Sequence, residues 1–72
     1  MNYKQIVNPI IFLQVHFARL FMERHGLTPS QFLEMNQKRD IIGFLRECYE
    51  SFHLMGDDGV LEEIDNYMEG CK

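Results

Sequence analysis

The chain has 72 residues, of which 46% are hydrophobic, with six phenylalanines, three tyrosines and two cysteines. This length predicts one domain, and this apolar content excludes an intrinsically disordered chain. The net charge is −4, and residues 40–72 carry nine acids against two bases, which disfavours binding to nucleic acid or to an anionic membrane through that half.

The first predicted helix begins at Asn8 and Pro9, because asparagine is a favoured N-cap and proline fits the first helical position. It is expected to run to about His25, where Gly26 can take the left-handed conformation that ends a helix. At 100° per residue, its apolar side chains cover an arc of roughly 220°, about twice the width that a surface helix needs. The other helices therefore cover this helix on two sides, or part of the arc contacts a second protein.

One edge of this arc is the predicted protein interface. Its apolar residues recur at i, i+4, i+7 and i+11, while Gln14 projects into the middle of the arc and needs a partner if it is buried. Phe12 lies on the polar side, where it can form a hydrophobic staple with Val7 around the N-cap. The candidate interface residues are Ile11, Phe12, Gln14, Val15, Ala18 and Met22.

The second predicted helix runs from about Pro29 to Lys38. Thr28 can cap it, and Gln31 can complete a capping box by reaching back to the backbone of the N-cap residue. The apolar side chains that this helix contributes are Phe32, Leu33 and Met35.

The third predicted helix begins after Asp40 and runs to about Met55, with apolar side chains over about 160° of its surface. Gly56 is expected to end it, and a positive φ at that position would require glycine. His53, near the same end, is expected to bond to the last carbonyl groups or to interact with the negative end of the helix dipole.

The fourth predicted helix is capped by Asp57 or Asp58 and ends at about Glu69. Six acids and no base lie between residues 57 and 69, so this helix presents a strongly acidic surface. Its apolar stripe is expected to pack against the preceding helices.

Together these patterns predict an all-α fold, a compact four-helix single domain with short connections, in which neighbours in sequence pack against one another. The domain is expected to span residues 8–69, with tails at residues 1–7 and 70–72. One core is expected to be shared by Phe17, Phe21, Phe32, Leu45, Tyr49, Phe52, Ile64 and Tyr67.

No signal peptide or membrane anchor is expected, since the longest apolar run, from Ile10 to Leu13, is far shorter than the roughly 20 residues of a spanning helix. Cys48 and Cys71 lack the spacing of a metal site or a redox motif, which favours reduced thiols and a cytoplasmic location. We expect neither nucleic acid nor a membrane as a partner.

Catalytic, cofactor-binding and metal-binding residues are not predicted. His16 and His25 point about 180° apart on the first helix and cannot share a metal ion. The segment Asp57–Gly59 lacks the alternating acids of a calcium loop. Cys48 falls in an apolar stripe and faces away from His53, so the two do not form a nucleophile and its base. The chain is therefore expected not to be an enzyme and to use no cofactor.

The C-terminal half resembles a family of short bacterial proteins of unknown function. Residues 49–56 follow the pattern Tyr-x-x-apolar-His-x-x-Gly of that family, and residues 61–67 follow its aliphatic and acidic helix ending in Ile-Asp-x-Tyr. The resemblance extends from about Ile11 to Met68, with departures at Leu54, where threonine is typical, and at residues 38–40. The signature residues expected to serve structure are His53, Gly56, Ile64, Asp65 and Tyr67.

The resemblance implies no established activity. Proteins of this kind are similar to small partners often encoded beside proteins that resemble ADP-ribosyltransferase toxins, which implies an accessory or toxin-neutralising role. The residues themselves favour a non-enzymatic protein–protein interaction module that binds another protein, or a second copy as a homodimer. The alternative is a small ligand-binding or catalytic domain that uses Tyr49, His53 and Asp65.

Overall fold

The computed structural model describes residues 8–70, and the regular secondary structure of those residues is helical, without a strand. Four of the five helices in this range have seven residues or more. In chain order the helices are α1 (Pro9–His25), α2 (Pro29–Lys38), α3 (Ile41–Glu47), α4 (Tyr49–Phe52) and α5 (Asp57–Met68). The predicted all-α fold is thereby confirmed. The predicted N-terminal tail, residues 1–7, and the last two residues of the predicted C-terminal tail at 70–72 lie outside the described residues, and they include Val7 and Cys71.

Helices α1 and α2 begin and end where the sequence predicts. Asn8 caps α1, and its Oδ1 accepts a hydrogen bond from the backbone N–H of Ile10 at 2.8 Å. Gly26 ends α1 in the left-handed conformation, with φ at 63°. The capping box of α2 is complete, because Thr28 Oγ1 accepts from the Gln31 N–H at 3.1 Å and Gln31 Oε1 accepts from the Thr28 N–H at 2.8 Å.

The third predicted helix is not continuous, and its expected extension to Met55 is wrong. The chain divides at Cys48, where φ is −100° and ψ is 14°, into α3 and α4, and α4 ends at Phe52. Beyond α4 the hydrogen bonds tighten to a three-residue spacing, from the Leu54 N–H to Ser51 O at 3.2 Å and from the Met55 N–H to Phe52 O at 3.1 Å. Such turns have poorer hydrogen-bond geometry than an α-helix and rarely continue. Neither glycine nor proline stands at the break, so packing rather than a local signal determines it.

Gly56 begins α5 rather than ending the preceding helix. Its φ of −73° and ψ of 163° are extended, as is usual for an N-cap residue, so the expectation of a positive φ is wrong. Asp57 and Asp58 lie in the first turn of α5 instead of at its cap, where their negative charge interacts favourably with the helix dipole. His53 is the C-cap residue of α4.

Helix α1 is the centre of the fold, and its most extensive contacts are with α3 and α5. The two tyrosines predicted for the core, Tyr49 and Tyr67, are only half-buried. The buried apolar residues are Leu13, Phe17, Ala18, Phe21, Phe32, Ile41, Leu45, Phe52, Val60, Leu61 and Ile64. The six other predicted core residues are all among them.

We expect Phe52→Ala to lower the free energy of unfolding by about 3–5 kcal/mol, because it leaves a cavity in the core. Phe52 is 4% exposed and its ring meets Phe44 edge-on, with the centroids 5.6 Å apart. Leu54→Ala is the matched control, since Leu54 is 80% exposed and its truncation removes little buried surface. Urea unfolding followed by circular dichroism measures both variants. Equal stabilities would contradict the placement of Phe52 in the core.

The two glycines beside helix ends should respond differently to alanine. Gly26→Ala is expected to cost about 1 kcal/mol, because a Cβ is disfavoured at a φ of 63°. Gly56→Ala should cost less, since its φ is ordinary and a Cβ there meets no atom within 4 Å apart from its chain neighbours, which leaves the weaker N-cap preference of alanine as the loss. Thermal melts of the two variants provide the comparison, and a greater loss at Gly56 than at Gly26 would overturn this expectation.

Candidate functional site

The outer face of α1 carries three large apolar side chains that the other described residues leave exposed. Ile11 is 52% exposed, Phe12 is 60% exposed and Val15 is 50% exposed. Spacings of three and four residues place Val15 next to both of the others on the helix surface. We call Ile11, Phe12 and Val15 the exposed strip.

The other three candidate interface residues face the interior of this chain. Gln14 is buried, and its Nε2 donates a hydrogen bond to the backbone oxygen of Ile42 at 2.8 Å. This bond supplies the partner that a buried amide requires. Ala18 is buried in the core, and Met22 is half-buried and packs against it. Of the six candidate interface residues, the three of the exposed strip are therefore the ones accessible to a second molecule.

An open groove of about 330 Å³ lies between the N-terminal half of α1 and α4 with the loop that follows it. Phe12 lines this groove and also belongs to the exposed strip, so the two features are continuous. We call it the α1–α4 groove. Side chains on its two walls include Phe12, Leu13, His16, Tyr49, His53 and Met55.

The polar groups of the groove form two pairs. The His16 Nε2 lies 3.3 Å from Asp57 Oδ1, and both side chains are more than half exposed. The Tyr49 and His53 rings stack nearly parallel, with centroids 4.8 Å apart and an interplanar angle of 9°. These pairs place hydrogen-bonding groups at the edge of an otherwise apolar groove, a composition typical of binding sites.

The three residues of the predicted ligand-binding alternative do not meet in one site. Tyr49 and His53 line the α1–α4 groove, whereas Asp65 contacts the C-terminal end of α1. Asp65 Oδ2 accepts a hydrogen bond from Arg24 Nε at 3.0 Å, and Asp65 Oδ1 lies 2.8 Å from His25 Nε2. Asp65 thus links α5 to the C-terminal end of α1.

The remaining signature residues of α5 also contact neighbouring helices. Ile64 is fully buried in the core. The Tyr67 ring stacks on Phe44 with centroids 4.0 Å apart, and the guanidinium carbon of Arg39 lies 4.5 Å above the Tyr67 ring. The Tyr67 hydroxyl donates to the backbone oxygen of Asp40 at 3.4 Å. Tyr67 therefore connects α5 to α3 and to the end of α2.

The single thiol in the described range has a raised pKa. Burial, together with the nearby charges of Glu47 and Glu63, raises the pKa of Cys48 above its usual value, so its thiolate is disfavoured at neutral pH. Among residues 8–70, no group of three or more His, Cys, Asp or Glu side chains is placed to hold a metal ion. No described helix is long and apolar enough to cross a membrane.

Acidic residues are concentrated in the C-terminal half of the chain, part of which borders the groove. Residues 47–70 carry eight acids and no lysine or arginine, so α4, α5 and the loop between them form a strongly acidic surface. Asp57 belongs to the groove itself, and Glu50 and Asp58 adjoin groove residues in sequence. The acidity of this half was evident from the sequence. Its position beside the apolar side chains of α1 was not, because His16 and Asp57 are 41 residues apart.

One protein-family model matches residues 15–70 and is described as "Protein of unknown function (DUF3791)". The match covers most of the chain, including the residues 49–67 that carry the signature read from the sequence. It begins at Val15, so Ile11 and Phe12 precede the matched region. Neither the curated proteins nor the solved structures contain a match to the chain.

Two residues on the predicted interface edge of the α1 arc should respond differently to an introduced charge. Val15→Glu is expected to remain folded, because Val15 is half exposed and the new carboxylate can stay in water. Ala18→Glu should unfold the domain, since it places an unpaired charge in the core. Circular dichroism and thermal melting of both variants distinguish the two positions. An unfolded Val15→Glu protein would show that the strip is covered within the chain.

Proposed function

The chain belongs to DUF3791, a family of unknown function, and from its geometry we propose that it is a non-enzymatic protein–protein interaction module. Its binding surface is the exposed strip together with the α1–α4 groove. The observation that carries this proposal is the exposure of three large apolar side chains on the helix that otherwise forms the centre of the core. Contiguous exposed apolar surface of this kind marks contact sites.

The size of the strip bears on how it binds. A stable interface takes about 800 Å² from each partner, and three half-exposed side chains supply only part of that area. The strip is therefore the anchor of a larger contact, to which the groove contributes its aromatic and aliphatic walls. Anchors of this type, surrounded by weaker contacts, dominate the energetics of many interfaces.

The finer role that we propose is that of an accessory or toxin-neutralising partner in a bacterial cytoplasm. Support comes from the family signature at Tyr49, His53, Gly56 and the Ile-Asp-x-Tyr helix, and from its resemblance to short bacterial proteins. A neutralising protein needs a surface that covers its target and needs no catalytic group. The acidic half of the chain favours a protein partner over nucleic acid or an anionic membrane.

A second candidate function is binding or conversion of a small ligand in the α1–α4 groove. The stacked Tyr49 and His53 rings favour it, since they present an aromatic face and hydrogen-bonding groups beside an apolar wall. Asp65, the third residue predicted for this role, would not take part, because it is held by Arg24 and His25. We rank this function second.

Photo-cross-linking in the native host tests the interaction module. Benzoylphenylalanine placed at Phe12 or Val15 should yield one discrete adduct, whose mass identifies a partner or a second copy. The matched control is Leu33, an exposed apolar residue on α2, where we expect no discrete adduct. Sedimentation equilibrium of the purified chain then separates a homodimer from a hetero-complex. A monomeric chain with no discrete adduct at Phe12 or Val15 would reject the proposal.

A further inference from the structure

The α1–α4 groove is lined mainly by apolar and aromatic side chains and lies beside the acidic C-terminal half of the chain, and these two features together indicate what binds there. We propose that the groove binds a basic amphipathic segment of another protein, with an apolar side chain of that segment seated between α1 and α4. Lysine or arginine side chains of the segment then face the acids of α4 and α5. This inference rests on the proposed interaction function and specifies the chemistry of the partner.

The apolar wall can accommodate a large side chain. The groove volume of about 330 Å³ lies at the lower end of the roughly 300–1,000 Å³ range of ligand pockets. Phe12 is exposed at its rim, Leu13 is buried at its base, and Met55 lies across from them. Methionine adapts to differently shaped apolar partners because its side chain is unbranched and flexible.

The acidic C-terminal half beside the groove determines the sign of the partner's charge. Residues 47–70 hold eight acids and no lysine or arginine, and three of those acids are Glu50, Asp57 and Asp58. Asp57 already contacts His16, which leaves Glu50 and Asp58 as the exposed charges nearest the groove in sequence. Charges at the rim of an interface speed association and reject partners of like charge.

The same charge distribution disfavours a second copy as the occupant. A twofold dimer through this groove would bury the same surface of both copies, so Glu50, Asp57 and Asp58 of both copies would lie in one interface. Like charges across an interface are unfavourable. A different protein with a basic surface does not meet this repulsion.

Three synthetic peptides of 16 residues test the inference by fluorescence anisotropy with the full chain. One is an amphipathic leucine–lysine helix, the second is its scrambled sequence, and the third is the amphipathic leucine–glutamate counterpart. We expect dissociation constants on the order of micromolar for the first peptide, at least about tenfold weaker binding for the second, and no binding of the third. Equal affinity for the scrambled peptide, or tighter binding of the leucine–glutamate peptide, would overturn the inference.

Variants locate the site of binding. Phe12→Ser should weaken binding of the leucine–lysine peptide about tenfold. Leu33→Ser, at an equally exposed apolar position on α2, should leave the affinity for this peptide unchanged. The double variant Glu50→Gln with Asp58→Asn should bind the peptide more weakly at low salt, and its affinity should depend less on salt. Glu34→Gln, which removes an acid from α2, is the matched control and should bind as the unmodified chain does. Unchanged affinity in both groove variants would overturn the inference.

Failure of this inference is distinguishable from failure of the interaction function. A discrete photo-adduct at Phe12 with an acidic partner, or a dimer that Phe12→Ser dissociates, would retain the interaction module and reject the basic partner. Absence of peptide binding together with a discrete adduct would likewise retain the interaction module and reject the basic partner. Absence of both would reject both proposals.

Discussion

The fold depends on the packing of the shorter helices against one side of α1. It has 17 residues, whereas the other described helices have 12 or fewer. Helices shorter than about 12–15 residues are marginal in isolation, so the shorter ones persist by packing on α1 and on one another. They bury one side of it around Phe17 and Phe21 and leave Ile11, Phe12 and Val15 in water. One-sided packing on α1 therefore both forms the core and leaves the exposed strip in water.

Polar contacts join α5 to α1 at two points. His16 lies beside Asp57, and Arg24 pairs with Asp65. The two residues on α1 are eight positions apart, and so are the two residues on α5. At 1.5 Å per residue, each separation is about 12 Å, so the two helices run in the same direction and in register. An exposed ion pair such as that of Arg24 and Asp65 contributes about 1 kcal/mol or less. Buried residues such as Ile64 supply most of the stability.

The parts of the fold that the sequence predicts are those governed by neighbouring residues. The caps at Asn8 and Thr28 join groups two or three positions apart, and both form as predicted. The break at Cys48 has no such signal, because no glycine or proline stands there. The contact of Asp65 with Arg24, 41 positions away, likewise depends on packing, which is why the sequence groups Asp65 with the wrong residues.

The α1–α4 groove lies where the structure departs from the predicted helix. Because α4 ends at Phe52, the chain returns through tight turns to begin α5 at Asp57, and both segments border the same stretch of α1. Departures from regular local structure are expected at functional sites. The rim of the groove does not depend on the same residues as the core. Phe12 is exposed and adds little to the core, whereas Phe52 fills it, so substitutions of Phe12 are expected to leave the fold intact.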